Sequence, residues 1–236
     1  MYKGQTGKHF GDFRADCDEI VKVSVLDDQI VTLSRKNTVK IWQISTLLNT
    51  EREKVRTAEQ ADGTDLLSQK EILGFDVDIQ GQNIITASED KTMRVWSINN
   101  VQLQKKIYLG IMGNKLLSAI NSLCVVLDNI SNTLKIINYK EGVEKMAFRN
   151  VVDFCIGNHH KTLYLVKTNN NGHHIEIVDL GLLQSKKSFL LKQSLVYEGL
   201  DISLNESERY LISSYLGWHC LQLVIYFYVL AFDDFV

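Results

Sequence analysis

From Ile30 to Trp42 the chain reads as an apolar run, a polar turn and a second run: Ile-Val-Thr-Leu-Ser, Arg-Lys-Asn, then Thr-Val-Lys-Ile-Trp. The same order returns from Ile84 to Trp96 as Ile-Ile-Thr-Ala-Ser, Glu-Asp-Lys, then Thr-Met-Arg-Val-Trp. Short β-branched runs bounded by polar clusters predict strands, and two of them across a tight turn predict a hairpin. Alternation in the second run puts Thr38, Lys40 and Trp42 on one face, with Val39 and Ile41 on the other. Thr92, Arg94 and Trp96 repeat that face, and Met93 and Val95 repeat its reverse.

The pattern continues in outline. Cys124-Val-Val-Leu, a turn through Asp128 to Asn132, and Thr133 to Asn138 put Ile137 in the Trp slot. Thr162 to Val166, a turn from Asn169 to His173, and His174 to Leu180 put Val178 there. Leu200 to Leu204, a turn at Asn205 to Ser207, and Tyr210 to Ser214 open a fifth unit. The markers 42, 96, 137 and 178 are separated by 54, 41 and 41 residues. A period near forty filled with short strands predicts repeated four-stranded sheets.

The stretch Thr86-Ala-Ser-Glu-Asp-Lys-Thr-Met-Arg-Val-Trp-Ser97 resembles a WD-repeat β-propeller blade, whose hallmark is Ser-x-Asp-x-Thr with Trp ending the third strand. Thr6 to Asp16 looks like the outer strand such repeats place before a Gly-His pair, with Ala15-Asp16 in place of that pair. Ile20 to Val25 would then be an innermost strand. The resemblance implies an all-β fold of about four to five four-stranded antiparallel blades in an open or partial ring. It also implies that Trp42, Trp96, Ser88 and Asp90 are structural markers of the repeat. In that family a turn Asp, a histidine, a strand Ser or Thr and the Trp share hydrogen bonds. Here the histidine is missing before the second unit, Lys36 replaces the Asp of the first, and Trp is gone from the third and fourth. Each lost net bond is worth about 1 kcal/mol, so weaker blades are expected.

Repeats are expected at 16–45, 70–99, 112–141, 150–181 and 196–214, within a propeller spanning 1–214. The segment 215–236 is apolar and departs from the repeat. It reads as a non-native tail or a final blade strand. From Tyr210 to Phe232 there is no charged residue, which on length alone would reach across a bilayer. Ser213, Ser214, Gly217, His219 and Gln222 interrupt it, so a strand is favoured over an anchor. The longer first interval places an insertion at Ser45 to Lys70, dense in charge of both signs and read as a surface loop.

Composition narrows the class. The 236 residues are 45% hydrophobic and 23% charged, which is ordinary for a globular chain. A formal net charge of −2 gives no general attraction to nucleic acid or anionic membrane. Proline is absent, so turns rest on Asn, Asp and Gly. The cysteines Cys17, Cys124, Cys155 and Cys220 form no CxxC spacing, and no secretory signal opens the sequence. Both points favour a reducing compartment, cytoplasmic or nuclear. The glycosylation-like Asn129-Ile-Ser and Asn205-Glu-Ser are read as chance.

Candidate chemistry thins on inspection. Gly4-Gln-Thr-Gly-Lys8 lacks the spacing and the Ser or Thr of a phosphate loop. His159 and His160 lie before the strand Thr162 to Thr168, and His173 and His174 beyond it. Seven residues separate the pairs by roughly 23 Å, too far for one zinc ion. No GxSxG or HExxH occurs. Cys124 and Cys155 sit in apolar strands, where thiols are inert. Lys105-Lys106 and Lys186-Lys187 are expected on loops flanking outer strands. No catalytic, cofactor or metal residue is assigned, and a small-molecule substrate is not evident.

The reading is a non-catalytic protein–protein scaffold or adaptor within a multiprotein complex. The alternative, implied by the resemblance alone, is an accessory or substrate-receptor subunit of an enzyme complex such as a ubiquitin ligase. Partners are other proteins; nucleic acid is disfavoured, and a membrane enters only through the tail 210–232. Arg35, Lys36, Glu89 and Lys91, in turns at the ends of the predicted hairpins, are the candidate partner contacts.

Overall fold

Alternating β-branched residues with Asn, Asp and Gly between them build strands throughout the computed structural model. It describes residues 2–3, 8–9, 19–26, 29–34, 39–44, 56–57, 70–78, 80, 82–100, 102–157, 160–170, 172–190, 198–204, 210–219 and 222–231. The chain divides into two units, Met1–Tyr108 and Leu109–Val236.

In the first unit, β1 (Tyr2–Lys3) and β2 (Lys8–His9) pair by themselves. β3 (Ile20–Leu26), β4 (Gln29–Ser34), β5 (Val39–Gln43) and β6 (Arg56–Thr57) form one sheet. β7 (Ile72–Asp78), β8 (Asn83–Ser88), β9 (Thr92–Ser97) and β10 (Leu103–Tyr108) form another. The second unit holds β11 (Lys115–Ser118), β12 (Leu123–Asp128), β13 (Thr133–Asn138) and β14 (Val143–Arg149). Then come β15 (Val151–Ile156), β16 (Thr162–Asn169), β17 (Gly172–Asp179) and β18 (Gln184–Leu190). A three-stranded sheet of β19 (Glu198–Leu204), β20 (Tyr210–His219) and β21 (Gln222–Ala231) ends the series. Each sheet is an antiparallel meander in chain order, open rather than closed on itself. The fold is all-β, built of propeller-type blades.

Register places the markers in one slot. Trp42 faces Ile30, Trp96 faces Ile84, Ile137 faces Cys124 and Val178 faces Leu163. Two residues on from those partners stand Thr32, Thr86, Val126 and Leu165, all buried. The indole nitrogens of Trp42 and Trp96 donate to Thr32 Oγ1 at 3.0 Å and Thr86 Oγ1 at 3.2 Å. In the third and fourth sheets both polar partners are replaced together, so no buried donor is left over. The expected weakening is therefore offset: replacing both members of a pair by apolar groups is nearly neutral, whereas losing one is costly.

The same faces build the cores. In the first unit Val31, Leu33, Val39 and Ile41 pack with Phe75, Val77, Ile84 and Trp96. In the second, Val125, Leu127, Leu134 and Ile136 pack with Phe154, Leu163, Leu165 and Val178. The marker face of one sheet thus lies on the reverse face of its predecessor, twice over. Each such side chain contributes roughly 1.5–3 kcal/mol on burial, and strands covered on both faces read as near-continuous apolar runs.

The fourth strands β10, β14 and β18 share a second feature. Pairing slips by one residue at Gln104 in β10, Lys145 in β14 and Lys186 in β18. The slip lies beside the marker slot each time, and these positions repeat at 41 residues, as the last three markers do. Central pairs β4–β5, β8–β9, β12–β13 and β16–β17 run without a shift. A bulge adds twist and bends the edge strand, and the regular placement fits the outer rim of each blade.

Several expectations change. Lys8–His9, inside the stretch read as a blade's outer strand, pairs with Tyr2–Lys3 instead; residues 10–16 lie outside the described residues. Within the insertion read as a loop, Arg56–Thr57 pairs with Lys40 and Ile41 as a short fourth strand. Lys105-Lys106 and Lys186-Lys187 lie inside β10 and β18, because an exposed edge strand tolerates lysine along its length. The uncharged segment from Tyr210 onward forms β20 and β21, two ten-residue strands. No helix among the described residues is long and apolar enough to cross a membrane.

Candidate interaction surface

The turn between β8 and β9 carries two of the four predicted contact residues, Glu89 and Lys91. In the β8–β9 turn the chain must reverse across three residues, and Asp90 holds it. Its Oδ1 accepts the Thr92 backbone N–H at 2.9 Å and the Thr92 hydroxyl at 2.6 Å. Ser88 Oγ accepts the Asp90 N–H at 3.2 Å and donates to the Lys70 carbonyl at 3.3 Å. The Glu89 N–H donates to the Glu71 carbonyl at 3.0 Å, and the Lys91 N–H closes the turn on the Ser88 carbonyl at 3.0 Å. Lys91 sits at φ 62°, a left-handed conformation that such a reversal requires. Glu89 is half-buried and Lys91 exposed, so the pair presents both charges on a backbone fixed at several points. Arg35 and Lys36 lie outside the described residues.

Arg94 backs this turn from the buried side. Its side chain is 4% exposed, and its Nη2 lies 3.4 Å from Asp90 Oδ2. Burial pushes the Asp90 carboxyl up. The Thr92 hydroxyl and amide and the Arg94 and Lys106 charges outweigh it, and the group is held below the usual carboxylate range. The marker Ser88 serves the turn, and the strand hydroxyl that takes the indole proton is Thr86. Period two puts Ile84, Thr86 and Ser88 on one face, so spacing alone does not choose between the two hydroxyls. The diagonal across the β8–β9 pair does.

The β12–β13 turn repeats the device with other residues. Asp128 Oδ1 accepts the N–H groups of Ile130 at 2.9 Å and Ser131 at 3.3 Å. Oδ2 takes the Ser131 hydroxyl at 2.9 Å and the Met112 N–H at 3.2 Å. Asp128 thereby ties its own turn to the segment leading into β11. Burial raises this carboxyl, and the four donors more than reverse it, so it too is lowered. Ile130 stands 73% exposed at the tip.

First strands carry ties between neighbouring sheets that sequence reasoning missed. Lys22 of β3 donates to the Phe75 carbonyl of β7 at 2.6 Å. In the matching register position of β11, Lys115 meets Asp153 of β15 at 2.7 Å and lies over the Phe154 ring, 5.1 Å from its centre. Phe75 and Phe154 face Thr86 and Leu165, so they too are equivalent. Only an alignment of first strands could have exposed this, since the partners are 38 residues apart.

His160 precedes β16 and stands apart from His173 and His174. His160 Nδ1 lies 3.1 Å from the Ser118 carbonyl, and its own carbonyl accepts the Ile120 N–H. His173 and His174 pair with Thr168 and Lys167 at the far end of β16. Burial, then the neighbouring His174, lowers the His173 pKa. Cys124 and Cys155 are buried in β12 and β15. His159, Cys17 and Cys220 lie outside the described residues. Among the described residues no group of three or more His, Cys, Asp or Glu is placed to hold a metal ion.

No protein-family model matches the chain, and no curated protein matches it. Solved structures do. The chain is similar to the β-propeller domain of Cps50 (Swd1) from Myceliophteria thermophila, with TM-score 0.61 and 12% identity over 89% of this chain and 72% of that one. It is also similar to hydrazine synthase of Kuenenia stuttgartiensis, with TM-score 0.66 and 12% identity over 94% of this chain and 66% of that one. At such identity the likeness is one of fold. The chain has the β-propeller fold, the class that its repeated sheets and buried indole pins define.

Proposed function

We propose that this protein is a non-catalytic scaffold of WD-repeat type, an intracellular adaptor, cytoplasmic or nuclear, that binds other proteins within a multiprotein complex. The observation that carries the reading is the pinning of the β8–β9 turn, where Ser88, Asp90 and Thr92 fix a short loop that displays Glu89 and Lys91. A loop held this way loses little freedom on binding, and a low ordering cost favours protein recognition. Asp128 gives the β12–β13 turn the same character, with an apolar tip at Ile130. The likeness to a β-propeller domain fits such a role, although fold does not fix function.

The test is affinity purification of the tagged chain from cells with mass spectrometry, beside the charge-reversed variant Glu89→Lys with Lys91→Glu. The reading expects at least one protein retained in stoichiometric amount and lost with the variant, while the melting temperature stays within a few degrees. Retention of no protein contradicts it. So does substrate turnover by the purified chain that disappears when one acid or cysteine is replaced.

A further inference from the structure

We propose that β21 is a pairing edge, and that the strand it takes is β21 of a second copy of this chain, antiparallel about a two-fold axis. The outer strands β10, β14 and β18 are each broken by a bulge, at Gln104, Lys145 and Lys186. Each also carries lysine: Lys105 and Lys106, Lys145, and Lys186 and Lys187. Bulges and edge lysines keep foreign strands from adding to a sheet.

β21 has neither. Its ten residues match β20 one for one, from Gln222 opposite His219 to Ala231 opposite Tyr210, with no shift. Its sequence, Gln-Leu-Val-Ile-Tyr-Phe-Tyr-Val-Leu-Ala, contains no charge and no proline. Among the described residues β21 has one neighbour, β20, and ends a sheet of three strands where four other sheets have four. An edge that is long, regular and β-prone offers a full row of ladder groups for pairing.

The occupant follows from the same composition. Antiparallel self-pairing about a two-fold axis at the middle of β21, at Tyr226 or Phe227, sets an uncharged edge against an uncharged edge, with no like charges opposed. It joins two three-stranded sheets into one of six and adds on the order of ten ladder bonds. With one such edge among the described strands, the pairing is isologous and stops at two.

The test is light scattering on the full chain at rising concentration, with Tyr226→Pro and Phe227→Pro made singly. Successive N–H groups of an antiparallel strand point alternately to the neighbour and away. One variant therefore loses an inner ladder bond and the other only an outward donor. The proposal expects a particle of twice 27.0 kDa for the natural chain, and a monomer for whichever variant keeps a native melting curve. A monomeric natural chain, a dimeric folded variant or open-ended assemblies overturn it. If neither variant folds, amide exchange of the natural chain decides. Alternate amides of β21 must gain at least tenfold protection from dilute to concentrated protein, and protection independent of concentration overturns the proposal.

Discussion

Trp96 donates its indole proton to Thr86 Oγ1, ten residues earlier in the chain, at 3.2 Å. Trp42 does the same to Thr32, again ten residues back, at 3.0 Å. Thr86 and Trp96 are 3% and 4% exposed, so water does not substitute for either partner. In the third sheet the slots hold Val126 and Ile137, and in the fourth Leu165 and Val178. A polar pin and a wholly apolar pair are two solutions to one packing position, and a half-made pin is the solution to avoid.

Thr86→Val strands the Trp96 N–H in the core and costs about 1–3 kcal/mol. Trp96→Phe also strands the hydroxyl and leaves a small cavity. In denaturant unfolding of the two single variants and the double variant, the double loses less than the sum, with a coupling of about 1 kcal/mol. Strict additivity contradicts the pin.

Asp128→Asn tests the capped β12–β13 turn through pH. The carboxyl is held below its ordinary value of about 3.9, so the stability it contributes is present above that pH. It is lost as pH falls through the lower folded value. At pH 7 the variant should unfold about 1–2 kcal/mol more easily, since an amide accepts fewer of the four bonds. The gap should shrink once pH falls below about 4. A gap constant across that window contradicts an ionised cap.

Asp153→Ala removes the partner of Lys115, a carboxylate side chain that is 8% exposed. Lys115 keeps contact with the Phe154 ring and with solvent, so the expected loss is about 1–3 kcal/mol rather than that of a fully buried pair. Lys115→Met with Asp153→Leu should recover much of it, because no lone charge remains. Equal loss in the single and double variants, read by thermal unfolding, contradicts the tie.

The central hairpins were readable because β4 and β8 are short β-branched runs before a polar turn and β5 and β9 carry Trp one residue before their ends. Outer strands were hidden. Gln184 to Ser188 is exposed on both faces and rich in Lys and Ser, so those residues show no alternation of apolar and polar. Arg56–Thr57 is too short to show a period at all. Among contact residues, Glu89 and Lys91 could be placed in a turn from the Ser-Glu-Asp-Lys-Thr run. The work of Arg94 behind that turn and the Lys115–Asp153 tie were not readable, since both depend on which strand face meets which neighbour. The joint loss of indole and hydroxyl was present in the letters, yet it becomes visible only when register sets position 126 diagonally across from 137.

Exchange of the Trp42 and Trp96 indole N–H protons, followed by nitrogen-labelled tryptophan NMR, tests most directly whether the two residues hold equivalent buried posts. Both protons should be strongly protected. Thr32→Val should release only Trp42, and Thr86→Val only Trp96. Solvent-like exchange of either indole in the natural chain would contradict the repeated blade on which the account stands.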